Sequence, residues 1–416
     1  MCLFYDIRRV ALATALSACA WAAQAESLTL QAAISRTLEH HPGLRAEAAQ
    51  AEALRQQAQL DGMAPPMTLG AELDNVGGTG TVSGRNSAET TLRLGQVIEL
   101  GGKRAARHAR GRAEVDRQLN VLSQRRLDLA AETTRRYIAV TQGQLELVLA
   151  ERQVRVAAQT RAAVSLRVDR GAAPEAELAP AEIAMAQAEL AQEHATHELL
   201  SARFALASLW GATRPTAVES SGALLDLPPL PDFESLATRL EQTPEFAVYR
   251  LELARIEADR TLARASARPD LSFTAGVRRL EALDDQAFVL SFSMPLGTTY
   301  RAIPAIARAD AEAEAVRSRG DAALLDARRR LFERLQELRH ARTEVEVLTE
   351  RMIPAAERGL TLTRAAYENA RYSALQLTQS QAALLDLEQR RLVAAGRYHR
   401  LLTDLERATA ITGATP

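Results

Sequence analysis

Leu271-Ser272-Phe273-Thr274-Ala275-Gly276-Val277-Arg278 alternates strictly between apolar and small or polar side chains. A period of two is that of a β-strand: Leu271, Phe273, Ala275 and Val277 share one face, and Ser272, Thr274, Gly276 and Arg278 the other. Three more stretches read the same way. Met67, Leu69, Ala71 and Leu73 oppose Thr68, Gly70, Glu72 and Asp74; Leu92 and Leu94 oppose Thr91, Arg93 and Gly95; Phe288, Leu290, Phe292 and Met294 alternate with Val289, Ser291 and Ser293. The spacing predicts strands over 66–75, 89–97, 270–278 and 287–295, each about nine residues, the length a tilted strand needs to cross hydrocarbon. Val76 to Ser87 is polar and Gly-rich and Glu281 to Gln286 is acidic, as connections in water should be.

Outward from each strand pair lies a long run rich in Ala, Leu, Glu, Arg and Gln, the composition of helices packed through small side chains. Helices are expected over 102–170 and 174–210 and again over 302–371 and 374–410. The first of these would be about 100 Å long at about 1.5 Å per residue, too long for a globular domain of this size. A broken helix precedes each strand pair, roughly 29–61 and 233–267, with Thr29 and Asp232 as N-caps and Pro42 and Pro244 as the breaks. Pro304 falls near the start of its helix, where it is tolerated, whereas Pro354 should kink or divide the second long helix.

The plan is written twice. His41-Pro42-Gly43-Leu44 answers to Thr243-Pro244-Glu245-Phe246, Leu100-Gly101 to Leu296-Gly297, and Val168-Asp169-Arg170-Gly171 to Tyr367-Glu368-Asn369-Ala370. The offset is about 200 residues and dips between the strands, which places a shorter connection in the second copy. Residues 26–211 form the first repeat and 233–413 the second. The stretch 212–232, with Pro215, Pro228, Pro229 and Pro231, reads as a linker.

Residues 1–25 form a signal peptide: Arg8 and Arg9, an apolar run from Val10 to Ala23, and Ala23-Gln24-Ala25 as a cleavage signal. Leu16-Ser17-Ala18-Cys19 also reads as a lipobox, so cleavage after Ala25 and lipidation at Cys19 stand as alternatives. Cys2 and Cys19 are the two cysteines, and no disulfide framework follows from them. The 51 Lys and Arg balance 52 Asp and Glu, which argues against nucleic acid as partner. No apolar run reaches the length of a transmembrane helix.

Two readings of the hairpins compete: packing on the chain's own helices, or a wall between lipid and water. The hairpins sit at one end of helices far too long to fold back over them, and the signal peptide sends the chain where β-barrels are made. In lipid every backbone N–H and C=O must be paired, so strands there close into a barrel. Single-chain barrels begin at eight strands. Four cannot close, so several chains must share one barrel. The side chains assigned to lipid are Leu69, Leu73, Leu92, Leu94, Leu271, Phe273, Phe288, Leu290 and Phe292.

Signal peptide, duplicated halves, strand pairs and paired long helices resemble the outer membrane efflux protein family typified by TolC, over about 27–410. Gln96-Val97-Ile98-Glu99-Leu100-Gly101-Gly102-Lys103-Arg104 resembles its heavy-metal branch, which serves cobalt–zinc–cadmium or copper–silver resistance pumps. The same stretch lacks P-loop spacing. The resemblance implies a mainly α fold with a small β part: long antiparallel α-helical hairpins forming a periplasmic tunnel, and four transmembrane β-strands per chain given to a shared trimeric 12-strand β-barrel. It implies a homotrimer in the cell outer membrane with a periplasmic extension, a periplasmic membrane-fusion adaptor protein, and an inner-membrane resistance-nodulation-division pump. The chain would be a passive conduit for heavy-metal cations, neither an enzyme nor a holder of cofactors. The same fold serving drug efflux or type I protein secretion, and a non-pore periplasmic coiled-coil scaffold, are the rival readings.

The resemblance makes the tip turns the adaptor-docking surface: Arg170, Gly171, Ala172, Ala173 and Pro174 in the first repeat, Arg371, Tyr372 and Ser373 in the second. Gly past one helix and Pro just inside the next is the ordinary helix-end asymmetry, and Ser373 with Gln376 suits a capping box. Ala370 stands where the first repeat has Gly171. Relatives often narrow the tunnel with acidic rings near this end. The corresponding candidates are Glu175 and Glu177, with Gln376 and Gln379 in the second repeat; helix-dipole stabilisation is the plainer role for the two glutamates. His194 and His197 could face one way on a helix, but no carboxylate–histidine cluster completes a metal site, and no catalytic triad, Cys pair or H-E-x-x-H occurs.

Overall fold

The structure, a computed structural model, describes residues 26–82, 84–214 and 218–411. The expected signal peptide with Cys19, Pro215 of the linker, and residues 412–413 lie outside the described residues. The first repeat comprises β1 (Glu26–Leu28), α1 (Leu30–His40), α2 (Pro42–Asp61), β2 (Thr68–Asp74), β3 (Glu89–Ile98), α3 (Lys103–Asp169) and α4 (Leu178–Ser208). After β4 (Val218–Ser220), the second comprises α5 (Phe233–Ala237), α6 (Pro244–Ser266), β5 (Leu271–Leu280), β6 (Asp285–Ser293), α7 (Thr298–Val347), α8 (Ile353–Glu368) and α9 (Ala374–Ala408). Thr29 caps α1 by accepting from the Ala32 N–H, and Asp232 caps α5 by accepting from the Ser235 N–H. The strand connection shortens from 75–88 in the first repeat to 281–284 in the second.

Helix packing follows a repeat of seven. Buried positions recur at Leu44, Ala51 and Ala58 on α2, at Val115, Leu122 and Leu129 and then Ala150, Ala157 and Val164 on α3, and at Ala181, Ala188 and Ala195 on α4. On α7 they fall at Ala302, Ala309 and Val316, then at Leu331, Leu338 and Val345; on α9 at Ala374, Gln381, Glu388 and Ala395. A seven-residue repeat winds α-helices into left-handed coils, and alanine at the seam lets the backbones approach closely. α3, 67 residues long, spans about 100 Å. It packs against α2, α4, α6 and α9 and so runs through both repeats. Along α3 and α9 the halves are joined by polar contacts: Gln381 Nε2 donates to Thr160 at 2.9 Å, Arg152 pairs with Glu388, Arg400 donates to Gln142 at 2.9 Å, and Arg135 pairs with Asp404 at 2.7 Å.

Of three features, the first and third depart from the sequence reading, and the second is the division expected at Pro354. First, α7 begins at Thr298, directly after Gly297 in the left-handed conformation at φ 77°. Pro304 therefore lies inside the helix rather than at its first turn. Second, the long helix of the second repeat is divided by a π-turn at Leu348–Met352, just before Pro354. The seam shows the inserted residue: Val345 to Ile353 is eight positions, one more than the step from Leu338 to Val345 before it. A π-turn carries one wide loop past a proline that cannot donate to the preceding turn. Third, the expected linker is partly built in. β4 pairs in parallel with β1, the Tyr137 hydroxyl donates to the Leu28 carbonyl at 2.9 Å, and the Tyr398 hydroxyl donates to the Pro228 carbonyl at 2.5 Å.

Candidate functional site

The four long strands form one antiparallel sheet in the order β2-β3-β5-β6. Its register aligns the apolar rows across every strand. Leu69 pairs with Leu94 and Ala71 with Leu92; Leu92 pairs with Val277 and Leu94 with Ala275; Phe273 pairs with Phe292, Ala275 with Leu290, and Val277 with Phe288. One face thus carries Leu69, Leu73, Leu92, Leu94, Phe273, Phe288, Leu290 and Phe292, all exposed: Leu69 80 %, Phe288 89 %, Leu290 71 %. Leu271, opposite Ile98 on the same face, is half-buried. Gln96 interrupts the row near its helical end, where its amide donates to the Pro65 carbonyl at 3.1 Å. No helix among the described residues covers this face, so packing on its own body is not how the face is satisfied.

The opposite face is polar and internally paired. Arg93 pairs with Glu72. Arg278 pairs with Glu89 at 2.8 Å and donates to Thr91 Oγ1 at 3.0 Å. Such paired charges suit a surface that meets water. β2 and β6 each have one unpaired edge among the described residues.

The junction between sheet and helices is held by the residues of the Glu99–Arg104 stretch. Lys103, 9 % exposed, pairs with Asp270 at 2.6 Å, and the Asp270 carboxylate also accepts from the Leu100 N–H at 3.2 Å. Arg107 grips Glu99 with two hydrogen bonds, at 2.5 and 2.8 Å. That grip holds the Glu99 carboxyl below its usual range despite the opposing effect of burial. Gly101 has φ 80°, and a β-carbon there would lie 2.7 Å from the Ala265 carbonyl oxygen, so the chain can turn here only at glycine. The stretch is a joint between two halves of the chain, a role its sequence alone did not disclose.

At the far end the two tip turns close alike. In the first, the Gly171 N–H donates to Val168 and the Ala172 N–H to Arg167; in the second, Ala370 donates to Tyr367 and Arg371 to Ala366. Gly171 has φ 67° and Ala370 φ 56°, so Ala370 takes the left-handed conformation its β-carbon disfavours. That strain, roughly 1–2 kcal/mol, exceeds the unfolded-chain entropy that alanine saves. Ala370→Gly is expected to stabilise the protein slightly, by about 0.5 kcal/mol net, seen as a raised thermal midpoint of the detergent-extracted particle.

Ser373 forms the capping box with Gln376. Gln376 is thereby committed to the helix end. Glu177 is half-buried, with one carboxylate oxygen lacking a hydrogen-bond partner among the described residues, while Glu175 and Gln379 are exposed. Arg170, Gly171, Ala172, Pro174, Arg371 and Tyr372 are exposed and Ala173 and Ser373 half-buried.

Beneath the turns lies a contact that sequence reading missed. Arg167 stacks over the Tyr367 ring at 4.6 Å and donates to the Tyr367 carbonyl at 2.8 Å, tying the first hairpin to the second. Burial pushes the Tyr367 phenol up, Arg167 pulls it down, and Glu177 adds a push up. The 200-residue offset was the available signal, since it brings 167 and 367 to equivalent places. His194 and His197 are exposed on α4, with His197 3.6 Å from Glu193. Among the described residues no three His, Cys, Asp or Glu side chains gather into a group that could hold a metal, and no helix is long and apolar enough to cross a membrane.

A sheet with one lipid-type face, set on coiled hairpins about 100 Å long, defines a membrane-anchored wall with a helical extension. Residues 33–212 match the family described as outer membrane efflux protein. Over that span, a little under half of the chain, the sequence is similar to this family. It is 29 % identical over 332 residues to the cobalt-zinc-cadmium resistance protein CzcC of Cupriavidus metallidurans, covering 78 % of this chain and 77 % of that one. It is 25 % identical to the nickel-cobalt-cadmium resistance protein NccC of Alcaligenes xylosoxydans xylosoxydans, over 59 % of this chain and 57 % of that one. Among solved structures, CusC, described by its transmembrane channel formation, shares the fold with a TM-score of 0.75 at 17 % identity, over 92 % of each chain.

Proposed function

We propose that the chain is one subunit of a homotrimeric duct in which three four-stranded sheets close a 12-strand barrel. The observation that carries this is the sheet itself: one continuous apolar face, one polar face, and two open edges. An open edge in hydrocarbon leaves backbone groups unpaired, and β6 of one copy joined to β2 of the next removes every edge. The duct is passive. Its tip turns would dock a periplasmic adaptor protein, through which an inner-membrane resistance-nodulation-division pump supplies the energy and selects the cargo.

Heavy-metal cations are the cargo this reading favours, because two relatives are named for resistance to cobalt, cadmium, and zinc or nickel. Deleting the gene should reduce growth on cobalt, zinc, cadmium or nickel, with restoration by the intact gene. Unchanged growth on all four, together with sensitivity to organic drugs, would move the assignment to drug efflux.

Glu175 and Glu177, repeated around the trimer, would form a cation-attracting aperture near the tips, with Gln379 free to line it while Gln376 caps its helix. Replacing both glutamates with Gln is expected to lower the preference for cations over anions in planar-bilayer conductance. Unaltered selectivity would reduce both to helix-end carboxylates.

A further inference from the structure

The register sorts the polar face of the sheet into rows. At the loop end Asp74, Glu89, Leu280 and Asp285 stand side by side. The next row on that face is Glu72, Thr91, Arg278 and Ala287, and the one after it Gly70, Arg93, Gly276 and Val289. Toward the helices follows Thr68, Gly95, Thr274 and Ser291, a row without charge. Arg93 is therefore the strand charge nearest the helical end of this face. At its level the rest of the wall is two glycines and a valine.

The glycines decide how Arg93 lies. Gly70 stands directly opposite it, and a β-carbon on Gly70 would be 3.9 Å from Arg93 Cγ. The arginine side chain runs across that bare position to pair with Glu72. On the other side, a β-carbon on Gly276 would run into the Leu92 carbonyl oxygen and lie 3.0 Å from Arg93 Cβ, so no side chain fits there. Arg93 and Glu72 both remain partly exposed. A pair so exposed adds little to stability. What the arrangement controls is the place of the charge.

We propose that the Arg93–Glu72 pair sets the charge preference of the duct: Glu72 holds the Arg93 guanidinium against the wall, over Gly70, and cancels its charge, so that cations pass this level. The proposal rests on the reading that copies close a shared barrel with this face inward. Three copies then bring three Arg93 side chains to one level. With the pairs intact that level is neutral. The loop-end part of the face then holds Asp74, Glu89 and Asp285 against Arg278, an excess of carboxylate. With the pairs broken, three unpaired arginines face the bore. Fixed charges act over about 10 Å at 0.1 M salt, and a ring of one sign in a water-filled bore repels ions of that sign.

The test uses the full-length protein, extracted from outer membranes and placed in planar bilayers at low ionic strength. In a KCl gradient, Glu72→Gln is expected to move the reversal potential toward that of chloride, and Arg93→Gln toward that of potassium. The double variant, neutral again at this level, should return to the wild-type value. Gly70→Val keeps every charge but fills the space that Arg93 crosses, and should move the potential in the same direction as Glu72→Gln. Light scattering of each extract counts the copies per particle. Three-copy channels with one reversal potential across all of these variants would overturn the role of the pair and leave the shared barrel standing. Shifts of the same sign in Glu72→Gln and Arg93→Gln would also overturn it, and reduce the pair to a clasp between β2 and β3. A single-copy particle that opens no channel would overturn the barrel reading and this one together.

Discussion

Leu290→Arg is expected to remove the protein from the outer membrane. Leu290 lies midway along β6, pairs with Ala275, and points to the face that carries Phe288 and Phe292. An arginine at the middle of a barrel's lipid face costs about 2–4 kcal/mol, and a ring of three copies takes that cost three times. Ser291→Arg, one residue on, places the same charge on the polar face beside Thr274 and should leave membrane localisation intact. Fractionation of the two variants, with immunodetection, checks the pair. The contrast matters more than either result, because the strand, the introduced residue and the charge change are the same and the face differs.

Asp270→Ala is expected to have the second large effect. It removes the partner of Lys103, whose side chain is 11 % exposed, and the acceptor of the Leu100 N–H. Breaking a buried pair and leaving its charge behind costs about 3–5 kcal/mol; the low end applies here because Asp270 is 31 % exposed. Lys103→Met in the same chain should recover part of the loss, since no uncompensated charge then remains. Thermal unfolding of the two variants measures the difference, and equal losses in both would show that the junction does not depend on this pair. The neighbouring Glu99 adds a pH dependence. Its folded-state pKa is depressed by Arg107, so its contribution is present above the ordinary carboxylate pKa and fades as the pH falls through the depressed value.

How much of this was legible in the sequence depended on contrast. The strands were legible because leucine and phenylalanine alternate with serine, threonine and glycine, and a two-residue period survives without any knowledge of neighbours. The long helices and the break at Pro354 followed from composition and from proline chemistry. The seven-residue seams were not legible. Their residues are mostly alanine in an alanine-rich background, and on α9 the buried positions include Gln381 and Glu388, which a hydrophobic pattern reads as surface. β1 and β4 are three residues each, too short for any period. The pairings that hold the site together, Lys103 with Asp270 and Arg167 with Tyr367, join residues 167 and 200 positions apart. Sequence spacing could place each partner but could not bring them together.

The central claim is that one face of the sheet meets hydrocarbon while the other meets water. Single cysteines placed in turn at positions 288 to 293, in intact outer membranes, test it directly. The account predicts that 289, 291 and 293 react with a membrane-impermeant thiol reagent, while fluorophores attached at 288, 290 and 292 are quenched by brominated lipid. Uniform reactivity along the strand, with no quenching at any position, would contradict it.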